Sequence, residues 1–347
     1  MTLPVALAGL VWLGVTAYAL LGGADFGGGI WDLLAGRTRP GAPARSLIEH
    51  AIGPVWEANH VWLIFVLVVL WTCFPAAFAA IASTLWLPLT LIAFGVIARG
   101  SAFAFRKAVT ETWQRRLFGA IFAFSSLVTP FFLGAVAGAI ATGRVPPGIA
   151  RGGVLSAWVN PASLFSGGFA VAACAYLAAV YLTGDANRSG EPRLVAAFRR
   201  RALVSGVLVG LLAAAGLAVL HANARPLYQG LVDRALPLVA FSATAGLTSL
   251  GLLIARRYTL VRITAAAAVA AVLWGWGVAQ YPHLLNPGLT IAAGAAPAAT
   301  LRATAVSLGV GAVLLVPSLV FMYALFQRGR PPVGDRPGPG PPQGGAG

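Results

Sequence analysis

The sequence predicts an all-α polytopic membrane protein with nine transmembrane helices. Of its 347 residues, 59% are hydrophobic and only 10% are charged, and the mean hydropathy is +0.83. Soluble domains carry about 25% charged residues. The net charge of +15 is spread over short basic clusters between apolar runs, which is typical of membrane loops. No basic patch suited to a phosphate backbone is visible, so we do not expect nucleic acid as a partner.

Nine apolar windows are long enough to cross a bilayer, since a transmembrane helix needs about 20 residues. The first window lacks the basic start and the small-residue cleavage site of a signal peptide, so it is interpreted as a span. The second to the ninth follow in order, and the eighth is rich in alanine. The predicted spans are roughly 4–23, 56–74, 76–99, 117–141, 163–183, 202–221, 235–255, 262–280 and 303–326.

The distribution of lysine and arginine predicts the orientation. With nine spans and the N-terminus outside, 19 of the 24 basic residues fall in inner loops or the tail, and 5 fall in outer loops. Basic residues accumulate on the cytoplasmic side of membrane proteins. The sequence therefore predicts an outer N-terminus and a cytoplasmic C-terminus.

Two further features complete the organisation of the chain. Residues 1–327 are interpreted as an integral membrane domain, and residues 328–347 as a disordered Pro/Gly-rich cytoplasmic tail. Cys73 and Cys174 lie inside apolar runs without metal-binding spacing. We expect both to be buried as small hydrophobic residues.

Three consecutive spans each carry a charged residue near the predicted cytoplasmic boundary. Asp25 follows the first span in "LLGGADFGGGIWDLL", Glu57 begins the second, and Arg99 ends the third. Ionisable groups at such depth usually face protein or water and pair with one another. Such a cluster would hold one carboxylate ionised, and the pKa of the other carboxylate would depend on its surroundings. The glycines around Asp25 favour close helix packing or a broken helix end. We expect this cluster to relay protons from the cytoplasm. The alternative is that the three charged side chains snorkel to the membrane interface and contact water there.

Glu57 has polar and aromatic neighbours in "GPVWEANHVWLIF". Trp56 and Trp62 could anchor the membrane interface, while Asn59 and His60 follow Glu57 on the same helix. Glu57 and His60 share a face, as in the Glu-x-x-His pairs of di-iron bundles. Those sites need a second such pair and more carboxylates, which the sequence lacks. No metal site is predicted, and the other acids are expected in loops, in the tail or flanking a span.

Four stretches of the chain resemble subunit II of the cytochrome bd-type quinol oxidases. They are "GGADFGGGIWDLL", "GPVWEANHVWLIF", "ARGSAFAFR" and "WGWGVAQYPHLLNPGLTIAAGAAPAATL", in the family's order. The resemblance implies nine helices, arranged as two four-helix bundles plus one peripheral helix. It also implies a terminal oxidase of the respiratory chain in the bacterial cytoplasmic (inner) membrane. Such a complex oxidises quinol, reduces oxygen to water and takes protons from the cytoplasm.

The same resemblance implies how the work is divided between subunits. The b- and d-type haems belong to subunit I, the expected partner, and this chain is expected to bind no cofactor directly. Subunit II stabilises the complex and contributes acids to a cytoplasmic proton path. A small accessory subunit is left open as a further partner beside the lipid bilayer, and the sequence does not distinguish ubiquinol from menaquinol.

The carry-over to this chain is made residue by residue. Asp25 matches the second Asp of the family's "DGFD", Glu57 matches the acid of "W(D/E)xN", and Arg99 matches the arginine after the third span. The first Asp of "DGFD" is Gly22 here, so a role that needs both acids is in question. Two other classes of protein remain as alternatives, an ion-coupled secondary transporter and a structural membrane scaffold. The second half of the chain has no acid inside a predicted span, which counts against a transporter.

Overall fold

The protein, a computed structural model, is described for residues 2–35, 41–52, 56–109 and 111–328. Thirteen α-helices and one short hairpin make up this part of the chain. The helices are α1 (Leu3–Ala17), α2 (Gly23–Leu34), α3 (Ala42–Ile52), α4 (Trp56–Cys73), α5 (Pro75–Thr84), α6 (Trp86–Ala108), α7 (Thr112–Ala141), α8 (Pro161–Arg188), α9 (Pro192–Asn223), α10 (Arg225–Asp233), α11 (Leu236–Ile254), α12 (Tyr258–Gln280) and α13 (Ala298–Arg328). The predicted tail lies outside the described residues, apart from Arg328 at the end of α13.

Within the described residues, eight helices are long and apolar enough to span a membrane, and α4 with α5 forms a ninth if the bent pair is one span. The predicted class, an all-α membrane protein with nine spans, is therefore confirmed. The third predicted span, 76–99, begins too early. The chain bends by 118° between α4 and α5, so α5 is a separate short helix. The third span is α6, which begins at Trp86. Pro75 opens α5, and a proline has no N–H with which to continue the preceding helix.

The first predicted span, 4–23, is too short. The helix continues through a π-helical turn at Tyr18–Gly22 into α2, and together they form a 32-residue apolar helix, Leu3–Leu34. The glycines of α2 lower its intrinsic helix propensity, but they let it approach its neighbours closely. A Cβ on Gly27 would lie 1.9 Å from the carbonyl oxygen of Cys174 in α8. Packing therefore keeps α2 helical, and close approach is the correct interpretation of these glycines, not a broken end.

The long helices form two groups. The first contains the first helix, α4, α6 and α7; in it α1 packs against α4, and α7 packs against both α2 and α6. The second contains α8, α9, α11 and α12, and the two groups meet where α2 and α7 pack on α8. Helix α13 packs against α1 and α4 at the margin of the first group, and most of its described side chains are exposed. This is the predicted arrangement of two four-helix bundles and one peripheral helix.

A small hairpin closes one end of the first group. Strands β1 (His283–Leu285) and β2 (Leu289–Thr290) pair antiparallel after α12 ends. Leu285, Leu289 and Cys73 share one buried cluster, and the amide of Ala296 donates to the Cys73 carbonyl at 2.8 Å. The cluster also contains Leu7, near the start of the first helix. The hairpin therefore lies at the end opposite Asp25. Both cysteines are free and buried, as predicted.

Candidate functional site

Asp25 and Arg99 form an ion pair in the interior of the first group. One guanidinium nitrogen of Arg99, Nη2, lies 2.7 Å from Oδ1 of Asp25, and Nη1 lies 2.9 Å from Oδ2. Nη2 also donates to the backbone carbonyl of Asp25 at 3.2 Å. The side chains are 1% and 2% exposed. A bidentate pair of this kind is among the strongest charge-assisted contacts in proteins, and the snorkelling alternative is wrong for both residues.

The remaining surroundings of Arg99 come from α2 and α7. Its Nε donates to the hydroxyl of Ser126 at 3.0 Å. The guanidinium carbon lies 4.9 Å from the ring centre of Phe26 and 4.8 Å from that of Phe122. Gly29 allows this approach, because a Cβ there would lie 2.1 Å from the Ser126 hydroxyl oxygen. The guanidinium is thus bound by one carboxylate, one hydroxyl and two aromatic rings.

Helix α4 brings the Glu57 segment to the same region. Its backbone is helical from Trp56, but the side chains of Trp56 and Glu57 lie outside the described part of the structure. Asn59, two residues further on, is 2% exposed and donates to the carbonyl of Leu21 at 3.3 Å. Leu21 belongs to the π-helical turn, where a carbonyl leaves the regular helical pattern. The first turn of α4 is therefore fixed to the first helix four residues before Asp25.

His60 and Trp62 both pack against the cluster that contains Tyr18. The ring of His60 stands edge-on to that of Tyr18, with 6.3 Å between centres. Trp62 is partly buried against the cluster formed by Tyr18, Phe26 and Ile30. In the described ranges, no group of three or more His, Cys, Asp or Glu side chains is arranged to hold a metal ion.

A second ion pair, which was not predicted from the sequence, lies two turns further along the same helices. Arg106 donates to Asp32 at 3.3 Å, and their side chains are 23% and 8% exposed. A cavity of about 10 Å³, close to the volume that one water requires, adjoins this pair. Its lining consists of Asp32, Arg45, Ile48, Glu49, Phe103, Arg106 and Phe122.

The spacing of these pairs is a signal that could have found the second one. Asp25 and Arg99 are 74 residues apart, and so are Asp32 and Arg106. Seven residues separate the two acids and the two arginines, which places each set on one helix face about 10 Å apart. We call the two pairs together the Asp/Arg ladder. Asp32 was expected to flank the first span because that span was predicted to end at residue 23, whereas the helix continues to Leu34.

Asp185 also differs from the expectation of a solvated loop acid. It lies in α8 with 16% of its side chain exposed, and it accepts from Arg262 of α12 at 2.8 Å and from Arg188. Arg262 further donates to the carbonyl of Tyr181 at 2.6 Å. This cluster ties α8 to α12 in the second group.

Fold and site together define a class: a multi-pass helical membrane protein with a desolvated carboxylate–guanidinium pair inside one of its two bundles. A family model for "Cytochrome bd terminal oxidase subunit II" matches residues 3–326. The chain belongs to that family, and its relatives are subunits of an oxidoreductase complex.

Individual relatives agree with this assignment. The "Putative cytochrome bd menaquinol oxidase subunit II" of Bacillus subtilis is 23% identical over 331 residues, covering 92% of this chain and 94% of its own length. The cytochrome bd-I ubiquinol oxidase subunit 2 of Escherichia coli K12 is 27% identical over 137 residues, which is 40% of this chain and 35% of that protein. A chain of the bd oxidase structure from Geobacillus thermodenitrificans shares the fold, with a TM-score of 0.74 and 24% identity over 95% of this chain and all of that one.

Proposed function

We propose that this chain is the non-haem-binding subunit II of a bacterial quinol oxidase and forms part of its proton path. The reduction of one O₂ to two waters consumes four protons and four electrons, and quinol supplies the electrons. The protons must reach a buried site, which requires polar groups inside the membrane. The observation that supports the proposal is the desolvated Asp25–Arg99 pair, next to the helix that carries Glu57.

The two acids have different tasks in this proposal. Two guanidinium N–H groups donate to the Asp25 carboxylate, so Asp25 and Arg99 form the fixed polar part of the path. The pairing of Asp25 with Arg99 makes the centre neutral overall, which reduces the cost of a polar group in an apolar interior. Glu57 is the acid that exchanges. Asn59 positions it by fixing the first turn of α4 to the π-helical turn.

The proposed orientation follows the basic residues. The N-terminus is outside and the C-terminus cytoplasmic, so the Asp32 end of the Asp/Arg ladder faces the cytoplasm of a bacterial inner membrane. The partner is the haem-bearing subunit I, which this chain stabilises. We infer that the histidines of this chain, unlike haem ligands, serve packing. His50 forms a hydrogen bond with the Ser46 carbonyl, and His221 packs on Tyr228.

The test is replacement of Glu57 by glutamine in the purified complex. Glutamine keeps the size and polarity of glutamate but cannot release a proton, so quinol-driven oxygen consumption should fall by about tenfold or more. The haem absorbance of the complex should stay unchanged, because the change leaves assembly intact. Glu111→Gln is the control, since Glu111 is exposed just before α7 and its loss should not alter turnover.

Two outcomes would contradict the proposal. Normal turnover in Glu57→Gln would remove Glu57 from the proton path. Purification of the tagged chain alone, colourless and without a haem-bearing subunit, would refute the assignment as an oxidase subunit.

A further inference from the structure

Tyr18 has a buried hydroxyl that the proposed path has not used. The residue opens the π-helical turn and is 8% exposed. Its hydroxyl oxygen has no hydrogen-bond partner among the described residues. Leaving a buried hydroxyl unpaired is costly, so folded proteins rarely do so without a bound water or a functional reason. A π-helical turn inside a long helix is itself frequent at functional sites.

The ring of Tyr18 lies between helix α4 and the ion pair. It stands edge-on to His60 and to Phe26, in both cases with 6.3 Å between ring centres. Phe26 is the ring on which the Arg99 guanidinium rests. Tyr18 also shares a buried cluster with Cys174 of α8. Tyr18 therefore adjoins both parts of the candidate site, the α4 segment and the buried pair.

Tyr18 also fills the space beside Gly22. A Cβ on Gly22 would lie 2.9 Å from Cε2 and 3.0 Å from Cδ2 of the tyrosine ring. Real Cβ atoms do not come that close to ring carbons, so a side chain at position 22 and the ring in its present place exclude each other. Position 22 is where the family pattern has its first acid. In this chain the Tyr18 ring, which carries a hydroxyl, occupies that place.

We propose that the Tyr18 hydroxyl is a proton-relay group that binds a water molecule and passes protons between that water and the α4 segment, beside the Asp25–Arg99 pair. This inference rests on the proton path proposed above. A phenol hydroxyl can accept a proton on its oxygen while it donates its own proton onward. The tyrosine then ends with one proton, as it began, and no phenolate forms in the apolar interior, where a bare charge would be costly.

Tyr18→Phe and Tyr176→Phe make a matched pair of variants. Both tyrosines are buried, but the Tyr176 hydroxyl is hydrogen-bonded to Ser249 at 2.5 Å. Tyr18→Phe removes an unpaired hydroxyl and keeps the ring, so thermal stability should be unchanged or higher. Quinol-driven oxygen consumption per haem should fall by about tenfold, with a larger solvent isotope effect in D₂O. Tyr176→Phe should show the reverse, with a lower melting temperature and normal turnover.

A rescue experiment tests the shared space. Gly22→Asp alone should impair assembly, because its Cβ meets the ring. In the background of Tyr18→Ala the ring is absent, so Tyr18→Ala/Gly22→Asp should assemble and turn over faster than Tyr18→Ala alone. A double variant that is no faster than Tyr18→Ala would contradict the idea that a protonatable group is needed at this place.

The outcomes separate this inference from the proton path itself. Slow turnover in Glu57→Gln with normal turnover and isotope effect in Tyr18→Phe would overturn the relay and leave the path intact. Normal turnover in both variants would overturn the path. Failure of Tyr18→Phe to assemble would also overturn the relay, since the hydroxyl would then be needed for folding.

Discussion

Replacing Arg99 by methionine should destabilise the protein strongly. Arg99 is 1% exposed and donates four hydrogen bonds, three to Asp25 and one to Ser126. Methionine has a similar length but leaves the Asp25 carboxylate, 2% exposed, without a counter-charge. Removing one partner of a buried pair costs about 3–5 kcal/mol, because the remaining charge is buried and uncompensated. We expect a loss in that range.

The double variant Asp25→Asn/Arg99→Met shows whether the lone charge is the cause. It contains no buried charge at this site, so it should lose less free energy of unfolding than Arg99→Met alone. The two substitutions should therefore be strongly non-additive, as for residues in direct contact. Losses that add would show that the two residues act independently.

The assay is chemical unfolding of the complex in detergent, followed by tryptophan fluorescence, with Arg106→Met as the control. Arg106 is 23% exposed and makes one contact with Asp32, at 3.3 Å. Because this pair is less buried than Asp25–Arg99, the loss of Arg106 should cost less than the loss of Arg99. Equal losses in Arg99→Met and Arg106→Met would refute the reasoning, because burial would then make no difference to the energy of the pair.

Two further predictions concern the contacts that hold the pair in place. Ser126→Ala removes the acceptor of the Arg99 Nε–H, and the same unfolding assay should show a loss of about 1–3 kcal/mol; no loss would mean that another acceptor replaces it. Gly27→Ala places a Cβ 1.9 Å from the Cys174 carbonyl oxygen and should cost about 1–3 kcal/mol or more by overpacking. Gly9→Ala, with nothing within 4 Å of the added Cβ, should be neutral or slightly stabilising, and an equal loss in both would contradict the close approach of α2 and α8.

Much of the fold was readable from hydropathy alone, because a bilayer forces every span to be a long apolar helix. The bend at Pro75 was not, since α4 and α5 are both apolar and a nineteen-residue window does not register a change of direction. The end of the first helix was missed for a related reason. Its glycines lower helix propensity locally, and only the approach to Cys174 in α8 shows why they are tolerated.

The site was partly predictable for a different reason. Loop charge assigned Asp25, Glu57 and Arg99 to one side of the membrane, and the structure brings two of them into contact; the side chain of Glu57 lies outside the described residues. Hydropathy gives depth but not rotation about the helix axis, so it could not say that Arg99 faces Asp25. The role of the Tyr18 hydroxyl was not predicted either, because a tyrosine in an apolar run usually serves only to pack against its neighbours.

The two pairs of the Asp/Arg ladder differ in burial. The side chains of Arg106 and Asp32 are 23% and 8% exposed, and those of Arg99 and Asp25 are 1% and 2% exposed. Burial therefore increases along α2 from Asp32 to Asp25. Each pair is neutral overall, which reduces the cost of continuing a polar line into an apolar bundle. Tyr18 lies beyond the inner pair, at the point where α4 meets the π-helical turn. The arginines therefore serve the proposed path by compensating the charge of the aspartates along this line.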